Sequence, residues 1–243
     1  MDRAGSQTRD SAYFFEPFFN LFCFNPTLAG MKSKIGILGS GTVAKALGAG
    51  FLAEGHEVMI GSGNPQKLEE IKNSLAVRTG SFQQAASFGK ILVLAVKGTA
   101  AIKVFSNLEN SDVDLKVIID TTNPISETPP KNGALQFFTQ QNDSLAAQLQ
   151  NAHPRAHIVK AFNSVGSSVM YKPVFEGPKP TMFICGDHPE SKKTVTQILD
   201  AFGWETADLG TLDSAGSIES LCVLWCARGF KDNQWNHAFK LLK

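Results

Sequence analysis

Residues 34–62 read KIGILGSGTVAKALGAGFLAEGHEVMIGS, and they determine how the rest of the chain is interpreted. Lys34–Leu38 is a short apolar run that ends at a glycine, which is typical of a buried strand. Val43–Glu54 carries apolar or small residues at helical spacing, and Gly55 is a suitable stop for that helix. His56–Ile60 is a second apolar strand. The stretch therefore predicts a strand–turn–helix–strand unit.

Beyond this unit, strands and helices continue to alternate. Further strands are predicted at Ile91–Val96, Val117–Asp120, His157–Phe162, Thr181–Cys185 and Glu205–Leu209, and further helices at Gln66–Ser74, Ser81–Ser87, Ala100–Asn107, Ser144–Leu149, Ser191–Phe202, Ser217–Trp225 and Asn233–Leu242. Several strands are apolar throughout, which indicates a parallel sheet covered on both faces. The predicted fold class is α/β, a Rossmann-type doubly wound parallel sheet with a small helical C-terminal portion.

The amino-acid composition limits the kinds of function that this protein can have. The 243 residues are 43% hydrophobic and 19% charged, with a net charge of +1, so no basic footprint for nucleic acid is present. Cys23, Cys185, Cys222 and Cys226 form no CxxC pair and are read as reduced thiols. We expect a cytoplasmic protein.

Three segments are predicted. Residues 1–30 contain six Phe interrupted by Glu16, Pro17 and Pro26, and no apolar run there is long enough to span a membrane. We expect them to be a disordered extension; the alternative is an arm that docks on a membrane surface or a partner. Residues 31–210 are the predicted nucleotide-binding domain, and residues 211–243 form C-terminal helices that complete an acceptor site or a dimer interface.

The turn Gly39-Ser40-Gly41-Thr42-Val43-Ala44 fits the pattern G-x-G-x-x-G/A. It follows a strand and opens a helix, which is the context in which the pattern binds a dinucleotide. The first glycine permits a tight turn, the second lets the backbone approach a pyrophosphate, and Ala44 allows the helix to pack closely. The pyrophosphate would then lie at the helix N-terminus, near free N–H groups.

The end of the second strand distinguishes between cofactors. An NAD site usually places a carboxylate there to bind the ribose 2′-hydroxyl. Here the chain reads Gly61-Ser62-Gly63-Asn64, with no carboxylate before Glu69, and Ser62, Asn64 and Lys67 are available as donors. We therefore predict NADP as the cofactor, although this turn contains no Arg. The alternative is that residues 62–65 are simply a turn and Lys67 a solvated helix residue.

The ordered segments resemble the family of coenzyme F420-dependent NADP oxidoreductases, which includes the reductase domain of STEAP metalloreductases. They are KIGILGSGTVAKALGAGFLAEGHEVMIGS, ILVLAV, DTTNP, VKAFNSVG, FICGD and DLGTLDSAGSIESL, and WNHAFKLL resembles the closing helix of the family. The resemblance runs from Lys34 to the C-terminus and implies NADP binding, with a small-molecule electron acceptor and no nucleic acid or membrane span. It also favours a homodimer.

The resemblance assigns cofactor contacts residue by residue. Ser40, Gly41, Thr42 and Val43 match the pyrophosphate loop, following Gly39. Ser62 and Lys67 match contacts to the 2′-phosphate, and Gly63 stands where the family usually has Arg. Ala95 and Val96 match the edge of the adenosine and ribose groove. The segments near the nicotinamide are Asn123 and Pro124, and Ala161, Phe162 and Asn163.

No catalytic acid or base is predicted. Hydride transfer between a nicotinamide and a flavin or deazaflavin requires mainly that two rings be stacked and water excluded. The first hypothesis is therefore an NADPH-dependent oxidoreductase acting on a flavin- or deazaflavin-like acceptor. The alternatives are an NADP(H)-binding redox sensor that acts through a protein partner without turnover, and a membrane-tethered reductase that uses Phe14–Phe24 to dock.

Several other polar residues have competing interpretations. Lys160, in an apolar strand, is expected either to reach solvent at the strand end or to contact the phosphate or substrate. Glu219 could face the cleft, but a structural role on its helix is favoured. His153 and His157 flank a strand start, and Pro154 suggests an exposed turn.

Two further groups are interpreted as packing residues. Cys222 and Cys226 share a helix face, and small-residue packing is favoured over a metal site with His237. Trp225 and Trp235 are expected in the core or at a dimer interface. No metal site is predicted.

Overall fold

The computed structural model describes residues 32–140 and 142–243. The predicted N-terminal extension, residues 1–30, lies outside the described residues, and so does Cys23. The strands are β1 Lys34–Leu38, β2 Glu57–Gly61, β3 Arg78–Gly80, β4 Ile91–Leu94, β5 Val117–Asp120, β6 His157–Lys160, β7 Thr181–Ile184 and β8 Glu205–Asp208. The helices are α1 Thr42–Ala53, α2 Pro65–Ser74, α3 Phe82–Phe88, α4 Gly98–Ser106, α5 Asn110–Val113, α6 Leu145–Ala152, α7 Pro189–Ala201 and α8 Ala215–Asp232.

Six strands form one sheet in the order β3-β2-β1-β4-β5-β6, and every neighbouring pair is parallel. This is the strand order of the Rossmann fold, so the predicted fold class is confirmed. The order reverses between β1 and β4, which pair from Ile35 with Ile91 to Leu38 with Leu94. A ligand in such a sheet binds outside the carboxyl ends of the strands at that reversal.

Apolar side chains cover both faces of the sheet, as the uninterrupted apolar strands predict. One buried cluster joins the sheet to Phe51 of α1 and Val195 of α7. The other joins it to Phe105 of α4 and Leu149 of α6. The sheet is therefore held rigidly between two helical layers, and the loops at its carboxyl edge are built on a fixed frame.

The first two helices after the glycine turn differ in how they begin. Asn64 caps α2 by accepting a hydrogen bond from the Lys67 N–H, and Pro65 occupies the first turn, where a missing N–H costs nothing. Gly41 caps α1 without any side-chain hydrogen bond. The first N–H groups of α1 are consequently left without a side-chain acceptor at the carboxyl edge of the sheet.

The last predicted strand is present as β8, but it pairs with β7 in a separate two-stranded parallel sheet. A single antiparallel bridge between Lys160 and Cys185 connects this small sheet to β6. The short strand β3 and the single-turn helix α5 were not predicted. Three residues in β3, of which none is buried, provide too little hydrophobic pattern to identify a strand.

The predicted helix Asn233–Leu242 is wrong. Asn233 has a φ of 50°, in the left-handed region, and ends α8 there. The following residues, here called the C-terminal strap (residues 234–243), form no helix or strand. The strap runs beside β7 instead, where the Thr181 N–H donates to the Phe239 carbonyl at 2.9 Å and the Leu241 N–H to the Thr181 hydroxyl at 3.1 Å.

Candidate functional site

The glycine turn lies at the carboxyl end of β1 and opens α1. Gly39 has a φ of 139°, and a Cβ there would lie 2.2 Å from the Ala95 carbonyl oxygen, so only glycine fits. A Cβ at Gly41 would meet nothing within 4 Å. The two glycines thus have different reasons to be glycine: the first is packed against β4, and the second faces open space beside the uncapped helix terminus.

Hydrogen bonds connect the chain just after β1 to the end of β2. The Gly39 N–H donates to the Gly61 carbonyl at 2.9 Å, and the hydroxyls of Ser40 and Ser62 lie 2.9 Å apart. Ser62 also accepts from the Asn64 N–H at 3.1 Å. Ser62 is therefore held beside the pyrophosphate turn, where the predicted 2′-phosphate contact requires it.

The remaining residues predicted to contact the 2′-phosphate differ in what they could offer a ligand. Lys67 is exposed and takes part in none of the salt bridges among residues 32–140 and 142–243. The Asn64 side-chain oxygen caps α2, which leaves the NH₂ of the same side chain as the group that could face a ligand. Gly63 is exposed, and a Cβ there would approach only the Phe82 ring, at 3.8 Å. This corner therefore has room for a phosphate and carries one free cationic side chain.

A cleft of about 530 Å³ opens at the reversal of strand order. It is lined by Val43, Ala95, Val96, Lys97, Gly98, Thr99, Thr121, Thr122, Asn123, Ile125, Ser126 and Glu127. Four of the predicted site residues are among them: Val43, Ala95, Val96 and Asn123. The buried Ser126 hydroxyl has no hydrogen-bond partner among the described residues, so the cleft wall holds a polar group that makes no hydrogen bond to them.

A larger groove of about 860 Å³ lies between α6 and α8 and has a mainly polar lining that includes Asp143, Asp187 and Asp213. None of the predicted cofactor residues lines it. The smaller cleft is the candidate site because the glycine turn and the strand reversal converge there.

The loops after β5 and β6 meet through two asparagines. The Asn123 amide donates to the Asn163 carbonyl at 2.7 Å, and the Asn163 amide donates to the Asn123 side-chain oxygen at 3.0 Å and to the Ile218 carbonyl of α8 at 2.9 Å. Within residues 32–140 and 142–243, no hydrogen-bond donor contacts the buried side-chain oxygen of Asn163. This pair connects the cleft wall to α8.

Ala161 and Phe162 differ from the other predicted contacts because both side chains lie in the core. Phe162 has a φ of 61°, an unfavourable conformation for an aromatic residue, and its N–H points to the Met182 sulfur at 3.2 Å. The strained turn re-aims the chain after β6 so that Asn163 reaches Asn123. Pro124 is also buried, and its carbonyl accepts from the Phe138 N–H. The side chains of Ala161, Phe162 and Pro124 therefore support the site from behind.

Both interpretations of Lys160 are wrong. Its side chain is 0% exposed and donates to Asp120 at 2.7 Å, to the Thr122 carbonyl at 2.6 Å and to Glu219 at 2.9 Å. Burial opposes the charge of the ammonium, but Asp120 and Glu219 outweigh it and raise the pKa of Lys160. The lysine is a buried cation that links β5, β6 and α8.

Glu219 has the structural role that was favoured. Its two carboxylate oxygens accept from the N–H groups of Leu145 and Ala146, both at 3.1 Å, so a residue of α8 caps α6. Burial raises the pKa of Glu219, and the ammonium of Lys160 opposes that shift. Asp120 was not predicted as a functional residue. Its position at the end of a strand, directly before the Thr121–Pro124 segment, is the one sequence signal that could have identified it.

The histidines and cysteines do not form a site with the cleft. Pro154 and Arg155 form the expected exposed turn, but the His153 side chain is buried, and its ring contacts the Asn110 side chain and the Phe105 carbonyl. Cys222 and Cys226 lie with their sulfurs 4.0 Å apart on α8. The part of the chain that the structure describes contains no group of three or more His, Cys, Asp or Glu residues that could hold a metal ion.

Comparison with known proteins agrees with this geometry. Residues 34–124, which include the glycine turn and most of the cleft wall, match the family described as NADP oxidoreductase, coenzyme F420-dependent. The resemblance noted in the sequence is thereby confirmed, and the matched segment contains β1 to β5.

Similar proteins extend the comparison beyond residue 124. The metalloreductase STEAP3 of Rattus norvegicus is 30% identical over 190 residues, which are 77% of this chain and 36% of that protein. The chain thus spans about a third of the length of the curated relatives that it matches. A crystal structure from Arthrobacter sp. FB24, provisionally assigned as an F420-dependent NADP reductase, matches with a TM-score of 0.79 and 25% identity, over 87% of this chain and all of that one.

More distant structures share the fold alone. A reductive aminase from Aspergillus terreus, solved in complex with NADPH and ethyl-5-oxohexanoate, has a TM-score of 0.60 at 15% identity, over 84% of this chain and 64% of that one. Across residues 32–140 and 142–243, no helix has both the length and the apolar character needed to cross a membrane.

Proposed function

We propose that this protein binds NADP(H) across the carboxyl edge of the sheet and transfers hydride to a flavin- or deazaflavin-like ring. The observation that carries the proposal is the pairing of an uncapped α1 terminus with open space at Gly41, directly beside the 530 Å³ cleft. N–H groups without a side-chain acceptor, and a glycine with open space at its Cβ position, suit a pyrophosphate that approaches the backbone. The family match of residues 34–124 supports the same cofactor.

The chain's own residues would hold the cofactor in three places. Residues 39–43 would bind the pyrophosphate, and Ser62, Asn64 and Lys67 would bind the 2′-phosphate. Ala95, Val96 and Asn123 would flank the ribose and the nicotinamide. The bound nicotinamide supplies the hydride chemistry, while the protein orients the two rings and excludes water. This division of labour is consistent with a cleft lined by Thr, Ser and Asn side chains and a single carboxylate, Glu127.

The choice of NADP over NAD rests on the corner at the end of β2. No carboxylate lies between Gly61 and Lys67, and the Ser62 hydroxyl is held 2.9 Å from that of Ser40. A carboxylate at this position would repel a phosphate and would bind a ribose diol. Titration of the protein with NADP⁺ and NAD⁺ tests this choice, and equal affinities would contradict it.

The activity is tested by stopped-flow absorbance at the NADPH band, with F420, FMN and FAD offered as acceptors in turn. We expect acceptor-dependent oxidation of NADPH with at least one of them. Because the STEAP relatives are named metalloreductases, a further arm adds ferric citrate with and without FMN. Oxidation of NADPH by none of these acceptors, despite tight cofactor binding, would remove the oxidoreductase proposal and leave a cofactor-binding protein without turnover.

A further inference from the structure

A buried group of three charges lies behind the candidate site. Asp120, Lys160 and Glu219, here called the charge cluster, have side chains that are 0%, 0% and 1% exposed. Two carboxylates and one ammonium leave a net charge of −1. We propose that the charge cluster favours the oxidised, positively charged nicotinamide over the neutral reduced form, and so makes bound NADPH a stronger hydride donor. This inference rests on the proposed function, because it requires the nicotinamide to lie near Asn123.

The hydrogen bonds indicate that both carboxylates are ionised. Asp120 accepts from the N–H and hydroxyl of Thr122 through one oxygen and from Lys160 through the other. Every described partner of Glu219 is likewise a donor: two backbone N–H groups and the Lys160 ammonium. A protonated Glu219 would need an acceptor for its own proton, and none lies among its partners in the described residues. Asp120 lies in direct ion-pair contact with the Lys160 ammonium. The N-terminus of α6 offsets part of the Glu219 charge, but it cannot neutralise the cluster.

The charge cluster lies one hydrogen bond behind the cleft wall. Lys160 donates to the Thr122 carbonyl, Asp120 accepts from the Thr122 N–H, and Thr122 itself lines the cleft. Asn123, the next residue, carries the predicted nicotinamide contact. Because these side chains are almost completely buried, the field of the cluster is less screened and acts over a longer distance than that of a surface charge.

The change in charge on hydride donation determines which form of the cofactor this field favours. NADPH carries a neutral dihydronicotinamide; donation of a hydride transfers two electrons and one proton to the acceptor ring and leaves a positive charge on the nicotinamide. A nearby net negative charge stabilises that product form. The charge cluster should therefore lower the dissociation constant of NADP⁺ relative to that of NADPH. The contacts to the phosphates and the adenosine should stay the same.

The competing explanation is that the charge cluster only fastens β5, β6, α6 and α8 together. A fastening role would change the affinities for NADP⁺ and NADPH by the same factor, because both share the phosphates and the adenosine. An electrostatic role changes their ratio. The ratio of the two dissociation constants is therefore the quantity that separates the explanations.

The experiment measures both dissociation constants for the wild type, Glu219→Gln, Asp120→Asn and the double variant Lys160→Met/Glu219→Gln. The two single variants make the cluster neutral, whereas the double variant returns its net charge to −1 without the ion pair. Glu190→Gln, which removes an exposed carboxylate on α7, is the matched control. Circular dichroism confirms that each variant is folded before titration.

We expect the single variants to shift the ratio toward NADPH by about threefold or more, and the double variant to return toward the wild-type ratio. An unchanged ratio in the single variants would overturn the proposal, as would a double variant that behaves like Glu219→Gln. If the variants do not fold, the wild type alone still decides: NADPH binding more than tenfold tighter than NADP⁺ would overturn it. Failure of the folded wild type to bind either cofactor would instead contradict the proposed function.

Discussion

Asn163 donates to the side-chain oxygen of Asn123 at 3.0 Å, and Asn123 donates back to the Asn163 carbonyl at 2.7 Å. This exchange joins the loops after β5 and β6 at the edge of the cleft. Because Asn163 also donates to the Ile218 carbonyl, the position of α8 is connected to the cleft wall through one side chain.

The asparagine pair should behave as one unit. We expect Asn123→Ala and Asn163→Ala each to lower the free energy of unfolding by about 1–3 kcal/mol, because each leaves a buried group without its partner. The loss of unfolding free energy in the double variant should be smaller than the sum of the two single losses, by a coupling energy of at least about 0.5 kcal/mol. Urea unfolding of the four proteins gives the coupling directly. Strictly additive losses would mean that the two loops are held independently.

Substitution by alanine should affect stability much more at Gly39 than at Gly41. Gly39→Ala forces a left-handed φ and a contact with the Ala95 carbonyl, so we expect it to destabilise the protein by about 2 kcal/mol or more. Gly41→Ala has open space and an ordinary φ of −82°, so its free energy of unfolding should change by about 1 kcal/mol or less. Thermal unfolding of both variants measures the difference.

Cofactor titration completes the comparison of the glycines. A Cβ at residue 41 occupies space that we assign to the pyrophosphate, so Gly41→Ala should lose affinity for NADP⁺ while it remains folded. Unimpaired binding by this variant would show that the pyrophosphate does not approach the α1 terminus. Ala44→Ser, in the same turn but buried against the sheet, serves as the comparison for a change that does not face the open side.

An arginine at residue 63 should strengthen the selection of NADP. The position is exposed, and a Cβ there would meet only the Phe82 ring, so the substitution fits without rearrangement. We expect Gly63→Arg to raise the ratio of NADP⁺ to NAD⁺ affinity about tenfold, because a guanidinium can bind a phosphate through two hydrogen bonds. Gly63→Gln, which is polar but shorter and uncharged, is the control. If both substitutions leave the ratio unchanged, this turn does not contact the 2′-phosphate.

His157 should make stability depend on pH. Its ring stacks on His188 with centroids 3.6 Å apart, and burial, followed by the charge of His188, lowers the pKa of His157 below its ordinary value of 6.5. The unfolded chain therefore binds a proton more tightly than the folded one, and the free energy of unfolding should fall as the pH drops below about 6.5. Urea unfolding at several pH values between about 5 and 7.5 measures this slope.

The matched variant for that measurement is His157→Gln, which keeps a polar group near the Ser191 hydroxyl. Its slope should be smaller than that of the wild type. Some slope will remain, because burial also lowers the pKa of His56. A variant with the full wild-type slope would show that the stacked pair does not control the acid sensitivity.

The supports of the site depend on distant residues and were harder to predict than the turn. The glycine turn was recognised because strand, turn and helix are contiguous in residues 34–54. Lys160 was misassigned because its partners, Asp120 and Glu219, are far away in the sequence, and a lysine in an apolar strand gives no sign of which carboxylates it will meet. Once β5, β6 and α8 are packed, the same residue is completely buried between two charges.

The C-terminal end shows how one residue can override a hydrophobic pattern. Trp235, Phe239 and Leu242 suggest a helical face, but Asn233 adopts the left-handed conformation that ends α8. Trp235 then folds back to contact Trp225, with ring centroids 5.5 Å apart. Helix propensity competes here with packing against a neighbouring aromatic ring, and only the assembled fold reveals which prevails.

The C-terminal strap also affects how this molecule meets others. The backbone groups along the edge of a strand can pair with a strand of another chain, which is a common route to aggregation. Residues 239–241 occupy one such position, the Thr181 N–H, through the Phe239 carbonyl, and Lys240 is held beside it by Glu205, at 2.6 Å. This segment thus covers part of the edge of the small sheet against pairing with a second chain.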